Sequence, residues 1–139
     1  MLKRIAIVFG ALFVLLGILG FVPGVTTGME DGGAGRLFGV FAVDTVHNVV
    51  HILTGVIAIA CGLASEAASR NYFRVFGILY GLAAAMGFYY GREPLLGMMA
   101  HNMPDAVLHT AIAIVALLLG FGHVPARFEH HDTSTHHPA

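Results

Sequence analysis

The chain has 139 residues, of which 57% are hydrophobic and only 11% are charged, and its formal net charge is −1. With a mean hydropathy of +0.79, it has too few polar residues to cover a water-soluble domain. The near-zero charge, without any basic stripe, also excludes binding to a nucleic-acid backbone.

Four apolar stretches carry the hydrophobic excess, and each is about as long as the roughly 20 residues that a helix needs to cross a bilayer. They are residues 5–22, 44–64, 72–90 and 105–122. We therefore predict an all-α integral membrane protein with four transmembrane helices, forming one domain over residues 1–122. The first stretch follows two basic residues, as in a signal peptide, but we expect it to be retained as a span because it matches the third stretch.

That match is part of an internal repeat. Residues 8–10 recur as residues 75–77, both Val-Phe-Gly, and the offset of 67 falls to 58 where His51 meets His109. A repeat predicts one structural unit used twice, here about residues 5–64 and 72–122. Because each unit holds an even number of spans, the two are predicted to be parallel hairpins. The change of offset lies in the Gly-rich, acidic residues 25–35, which we expect to be a flexible loop.

Basic residues predict the orientation. In a four-span arrangement five lie on one side and two on the other: Lys3, Arg4, Arg70, Arg74 and Arg127 against Arg36 and Arg92. The positive-inside rule then places both termini in the cytoplasm. The last residues, 123–139, hold five histidines among polar residues and are expected to form a disordered cytoplasmic tail.

The second and fourth helices are predicted to begin alike, at N-caps Asp44 and Asn102. The third helical position then holds His47 in one helix and Asp105 in the other. The seventh holds His51 and His109, roughly 10 Å along each helix from its cap. Ionisable side chains at that depth in a membrane are candidates for a functional site.

Three interpretations of these residues compete. The favoured one is a structural, hydrogen-bonded polar cluster near the outer face that holds the hairpins together. Its members are Asp44, His47, Asn48, His51, Asn102, Asp105 and His109. The second is a haem b site with His51 and His109 as axial ligands, although no basic pair lies nearby to meet the propionates.

The third interpretation is a Zn²⁺ or Cu²⁺ site, with three nitrogens and one oxygen from His47, His51, Asp105 and His109. A proton relay or substrate pathway is also conceivable, but one cluster near one face does not cross a membrane. The structural interpretation is favoured because a histidine paired with an acid at the third position is unlike a symmetric haem site. We therefore predict no bound cofactor.

Several motifs carry a family resemblance. These are residues 20–24, 36–41 and 80–81, an HNxxHxxxG pattern over residues 47–55, and a DxxLH pattern over residues 105–109. Over about residues 5–122 the chain resembles the bacterial membrane family known as domain of unknown function 4383 (DUF4383). The resemblance implies a small four-helix protein of the bacterial inner (plasma) membrane and implies no activity. The family tends to have Asn where this chain has Asp44.

The sequence contains no catalytic signature, neither a nucleophile elbow nor a phosphate loop. The single Cys61 excludes a disulfide within the chain. We therefore expect a structural or accessory protein rather than an enzyme, with the lipid bilayer and other subunits of a larger membrane complex as its partners.

Overall fold

The computed structural model describes residues 1–28, 34–91 and 93–122. In these ranges the chain forms four α-helices: α1 (Leu2–Leu19), α2 (Thr45–Ala64), α3 (Glu66–Tyr90) and α4 (Met103–Phe121). All four are long and apolar enough to cross a membrane, which confirms the prediction of a four-helix membrane protein. The histidine-rich tail and the basic residues Arg92 and Arg127 lie outside the described residues.

Helix α3 begins six residues earlier than its apolar stretch predicts, at Glu66 rather than at residue 72. Its first turns carry charged residues, which hydropathy alone does not assign to a span. The helix begins there because the Ser65 hydroxyl accepts a hydrogen bond from the amide of Ala68, at 3.0 Å. Ser65 is also the C-cap of α2, so a single residue separates the two helices.

Helices α1 and α2 pack backbone to backbone along a line of glycines. A Cβ atom added to Gly55 would lie 2.6 Å from the carbonyl oxygen of Gly10, and one added to Gly62 would lie 2.7 Å from that of Lys3. Real side chains do not approach that closely. Small residues at these positions therefore set the short distance between the two helices, as is common for helix pairs in lipid.

Helices α3 and α4 form the second close pair. A Cβ atom on Gly77 would lie 2.9 Å from the side chain of Leu117 and 3.0 Å from its amide nitrogen, whereas one on Gly81 would meet only the Cβ of Ala113, at 3.9 Å. An aromatic core fills the space between the two pairs. It consists of Phe9 and Phe13 from α1 with Tyr72, Phe73, Phe76 and Tyr80 from α3.

At one end of the bundle, charged side chains of α3 bind the ends of other helices. Arg74 donates from Nε to the carbonyl oxygen of Gly120 at 2.8 Å, and Arg70 donates to that of Gly122 at 3.0 Å. Glu66 accepts the amide of Leu2 at 3.0 Å and also contacts the amino group of Met1. These bonds satisfy backbone groups that the ends of α1 and α4 leave unpaired.

At the opposite end, the α1–α2 connection contains a three-stranded antiparallel sheet in the order β1-β2-β3. The strands are β1 (Thr26–Thr27), β2 (Gly35–Leu37) and β3 (Phe41–Val43). The predicted flexible loop thus contains β1 and the first residue of β2, and its residues 29–33 lie outside the described residues. The strands form because β2 and β3 are joined by a tight turn, in which Phe38 and Gly39 have positive φ angles of 54° and 73°.

Candidate functional site

The starts of α2 and α4 build the candidate site. The Asp44 carboxylate accepts the amide of His47 at 2.7 Å, and the Asn102 side chain accepts the amide of Asp105 at 3.1 Å. Asp105 in turn accepts the amide of Asn102 at 3.0 Å, which completes a capping box. Both predicted N-caps are therefore confirmed.

The side chains at the start of α2 also bind the connection that precedes α4. The second carboxylate oxygen of Asp44 accepts the amide of Ala100 at 2.6 Å. The imidazole of His47 bonds through Nδ1 to the carbonyl oxygen of Ala100 at 3.1 Å. Because a carbonyl oxygen only accepts, Nδ1 carries the proton in this bond. Both backbone groups of Ala100 are thus held by α2.

The side chains at the start of α4 bind the first connection in return. Asp105 accepts the amide of Ala42 at 3.0 Å, and Asn102 donates from Nδ2 to the carbonyl oxygen of Val40 at 2.8 Å. Four hydrogen bonds therefore join the two connections, two in each direction. We call the four side chains that make them the clasp: Asp44, His47, Asn102 and Asp105.

Three histidines lie together immediately below the clasp. Nε2 of His47 lies 3.1 Å from Nε2 of His51, and one ring nitrogen from each of His47, His51 and His109 lies within 4.8 Å of the others. We call these three residues the histidine cluster. His47 belongs to both groups, since its Nδ1 binds Ala100 while its Nε2 faces His51.

Aromatic rings hold the other two imidazoles. The ring of Phe13 stacks on His51 at a centroid distance of 4.9 Å. The rings of Tyr80 and His109 meet edge to face, also at a centroid distance of 4.9 Å. A cavity of about 180 Å³ adjoins all three histidines, and Thr54, Tyr80 and Met99 are among its lining residues. The cluster is thus positioned by packing and has space beside it.

Comparison with known sequences identifies the family. The sequence profile of the family described as a domain of unknown function (DUF4383) matches residues 3–122. The chain belongs to this family. No curated protein and no solved structure gave a match. The DUF4383 region includes the whole clasp and the whole histidine cluster. Because the family description names no function, only these side chains indicate the chemistry of the site.

The seven predicted site residues of this DUF4383 chain separate into distinct surroundings. Six form the clasp and the histidine cluster. Asp105 belongs only to the clasp, and among the described residues the group within metal-binding distance comprises the three histidines without it. The seventh, Asn48, is fully buried against Gly20, and a Cβ atom on that glycine would collide with the Asn48 amide.

Sequence reasoning missed partners that use backbone atoms or ring faces. Val40, Ala42 and Ala100 contribute only amide or carbonyl groups to the clasp, and such groups leave no trace in the residue type. Buried His101 was also missed, although its Nε2 lies 2.9 Å from the carbonyl oxygen of Gly87. Gly87 is the residue in the sequence that could have indicated this packing. A Cβ atom on Gly87 would lie 2.5 Å from the His101 ring, so only glycine leaves room for the imidazole.

Proposed function

We propose that this DUF4383 protein has a structural or accessory role in the membrane, with its two helix pairs fastened together at one end by the clasp. The observation that carries the proposal is the set of four hydrogen bonds that run in both directions between the connections. Three of these bonds, to the amide of Ala42 and to both backbone groups of Ala100, are partly buried, so each satisfies a group that would be costly to bury without a partner.

We further propose that the two pairs are copies of one duplicated hairpin. In each connection a buried leucine precedes a non-glycine residue and a glycine that both have positive φ. The residues are Leu37, Phe38 and Gly39 in the first connection and Leu95, Leu96 and Gly97 in the second. The same 3.1 Å hydrogen bond closes both turns, from Val40 to Leu37 and from Met98 to Leu95. These turns lie 58 residues apart, which is the offset between His51 and His109.

The proposed orientation places both termini in the cytoplasm and the clasp near the outer face of the bacterial inner membrane. It is supported by the basic residues of α1 and α3, which lie at the end opposite the clasp, whereas Arg36 lies in the first connection. The test uses single cysteines in a Cys61→Ser background and a reagent that does not cross membranes. Thr27→Cys should be labelled in intact cells and Ala67→Cys only after permeabilisation; the reverse pattern would contradict the orientation.

The proposed role as a subunit of a larger membrane complex is supported by the small size of the chain. The experiment is to extract the protein from its own membrane in mild detergent and measure the mass and composition of the particle. A stoichiometric assembly that Asp44→Ala dissolves would support the role. A single chain in its micelle would contradict it.

The haem alternative fits the site poorly. The ring centroids of His51 and His109 are 6.5 Å apart, but Nε2 of His51 faces His47 rather than an open slot between the two rings. The cavities that border the cluster measure about 180 and 60 Å³. Pockets for ligands of drug size and above begin at about 300 Å³.

A further inference from the structure

The histidine cluster has more nitrogen lone pairs than its own hydrogen bonds use. His109 is only 5% exposed, and its Nδ1 has no hydrogen-bond partner among the described residues. A buried polar atom without a partner costs about 1–3 kcal/mol, so such an atom in a native site calls for a ligand or another explanation. The adjoining cavity is the space that a ligand would enter.

The spacing of the nitrogens suits a metal ion. Two nitrogens bound to one tetrahedral ion at about 2.0 Å lie about 3.3 Å apart. Nε2 of His47 and Nε2 of His51 are 3.1 Å apart, and the three candidate nitrogens all lie within 4.8 Å of one another. Rotation of the His109 ring would bring in the third, since no hydrogen bond restrains its Nδ1.

The surroundings orient the ligands as metal sites require. Histidines that bind metals commonly donate from their other nitrogen to a carbonyl oxygen, which fixes both the tautomer and the ring. The bond from His47 Nδ1 to Ala100 has this form and leaves Nε2 as the free donor. The ring of Phe13 stacks on His51 and restricts its imidazole.

We infer that His47, His51 and His109 together bind one Cu⁺ ion. The three imidazoles bind as neutral ligands. Among the described residues no carboxylate lies within ligand distance of them, and that of Asp105, which lines the smaller cavity beside them, is already bound to two amides. The direct ligands therefore leave the charge of the ion uncompensated. A buried charge is costly there, which favours a monovalent ion over Zn²⁺ or Cu²⁺. Imidazole suits copper, and the thioether of Met99, which lines the cavity, is a soft ligand that Cu⁺ accepts. Binding moves a proton from Nε2 to Nδ1 of His51 and releases none.

The test is an anaerobic titration of the full-length protein in mild detergent, with Cu⁺ competing against bicinchoninate. The five tail histidines, His123, His130, His131, His136 and His137, are changed to Ala so that they bind no metal, and the protein carries no polyhistidine tag. We expect one Cu⁺ per chain, with nitrogen neighbours at about 2.0 Å in X-ray absorption. His51→Gln and His109→Gln should each weaken binding at least about 100-fold.

His101→Gln is the matched control, because His101 is equally buried but lies outside the cluster, and this variant should bind Cu⁺ as the parent does. Circular dichroism and size-exclusion chromatography establish that each variant is folded. If one cluster variant does not fold, the Cu⁺ affinity of the other variant and the X-ray absorption spectrum of the parent protein test the inference. Unchanged affinity in His51→Gln or His109→Gln, no stoichiometric Cu⁺ binding, or a preference for Zn²⁺ would overturn the inference. The inference goes beyond the clasp, whose hydrogen bonds do not depend on it.

Discussion

The two helix pairs use one design at the capped end and differ at a single decisive position. The third residue of α2 is His47, whose imidazole binds Ala100 through one nitrogen and presents the other to His51. The third residue of α4 is Asp105, whose carboxylate is used by the amides of Ala42 and Asn102. Both side chains fasten the opposite connection, but only the imidazole lies within metal-binding distance of the other two histidines among the described residues.

The pairs also differ in how closely their helices approach at particular glycines. In the first pair, a Cβ atom on Gly55 would lie 2.6 Å from the backbone oxygen of Gly10, whereas in the second pair one on Gly81 would lie 3.9 Å from its nearest neighbour. Another glycine of the second pair is crowded too, since a Cβ atom on Gly120 would lie 2.8 Å from the amide nitrogen of Arg74. Added volume should therefore be tolerated at Gly81 and not at Gly55. The free energy of unfolding, measured in detergent for each variant below, reports how much each contact stabilises its helix pair.

The largest effect is expected for Asp44→Ala. The change removes the cap of α2 and the bond to Ala100 at once. A lost N-cap costs about 1 kcal/mol and a lost charged hydrogen bond about 1.5–3 kcal/mol, so we expect about 2.5–4 kcal/mol of destabilisation. Asp44→Asn, which keeps the capping oxygen, should cost less. A change in Asp44→Ala below about 0.5 kcal/mol, small even for a lost cap alone, would contradict the role of Asp44 in the clasp.

A somewhat smaller effect is expected for Asp105→Ala. One carboxylate oxygen serves the amides of both Ala42 and Asn102. Because the two bonds share that oxygen, we expect their loss to cost together about as much as one charged hydrogen bond, about 1.5–3 kcal/mol. The Asn102 side chain still caps α4 in this variant, which is why the effect is below that of Asp44→Ala. A larger destabilisation by Asp105→Ala than by Asp44→Ala would contradict the expected ranking of the starts of α2 and α4.

Gly55→Ala tests the close approach of α1 and α2. Its new Cβ would lie 2.6 Å from the backbone oxygen of Gly10, so one helix has to shift, at about 1–2 kcal/mol. Gly81→Ala is the control in the second pair, where the nearest atom is 3.9 Å away. It should be neutral or stabilise by up to about 1 kcal/mol, because Ala favours a helix. Equal effects at the two positions would remove the distinction between Gly55 and Gly81.

The smallest effect is expected at the end opposite the clasp. Arg74→Ala removes the bond to the carbonyl oxygen of Gly120 and the contact of the guanidinium with the ring of Phe121, 5.2 Å from its centroid. We expect a loss of about 1 kcal/mol. Arg74→Lys should recover part of it, because it keeps the charge without the planar geometry. No loss in Arg74→Ala would show that Arg74 does not stabilise the end of α4.

The sequence predicted the features that depend on local chemistry. Four spans followed from apolar length, and the caps Asp44 and Asn102 followed from residue type and position. It did not predict that α3 begins at Glu66, because a charged first turn is invisible to hydropathy. It also did not predict the strands β1, β2 and β3 in the α1–α2 connection. The partners of the clasp could not be predicted from the sequence, because Ala42 and Ala100 bind through backbone groups that every residue possesses.

Amide hydrogen exchange at Ala42 and Ala100, measured by NMR on the protein in detergent, tests the central claim most directly. Both amides lie outside the helices and each is held by a carboxylate from the opposite pair. The clasp predicts that both exchange slowly. Asp44→Ala should accelerate exchange at Ala100 and leave Ala42 protected, and Asp105→Ala should do the reverse. Fast exchange at both amides in the unaltered protein, or equal acceleration of both by either variant, would contradict the clasp.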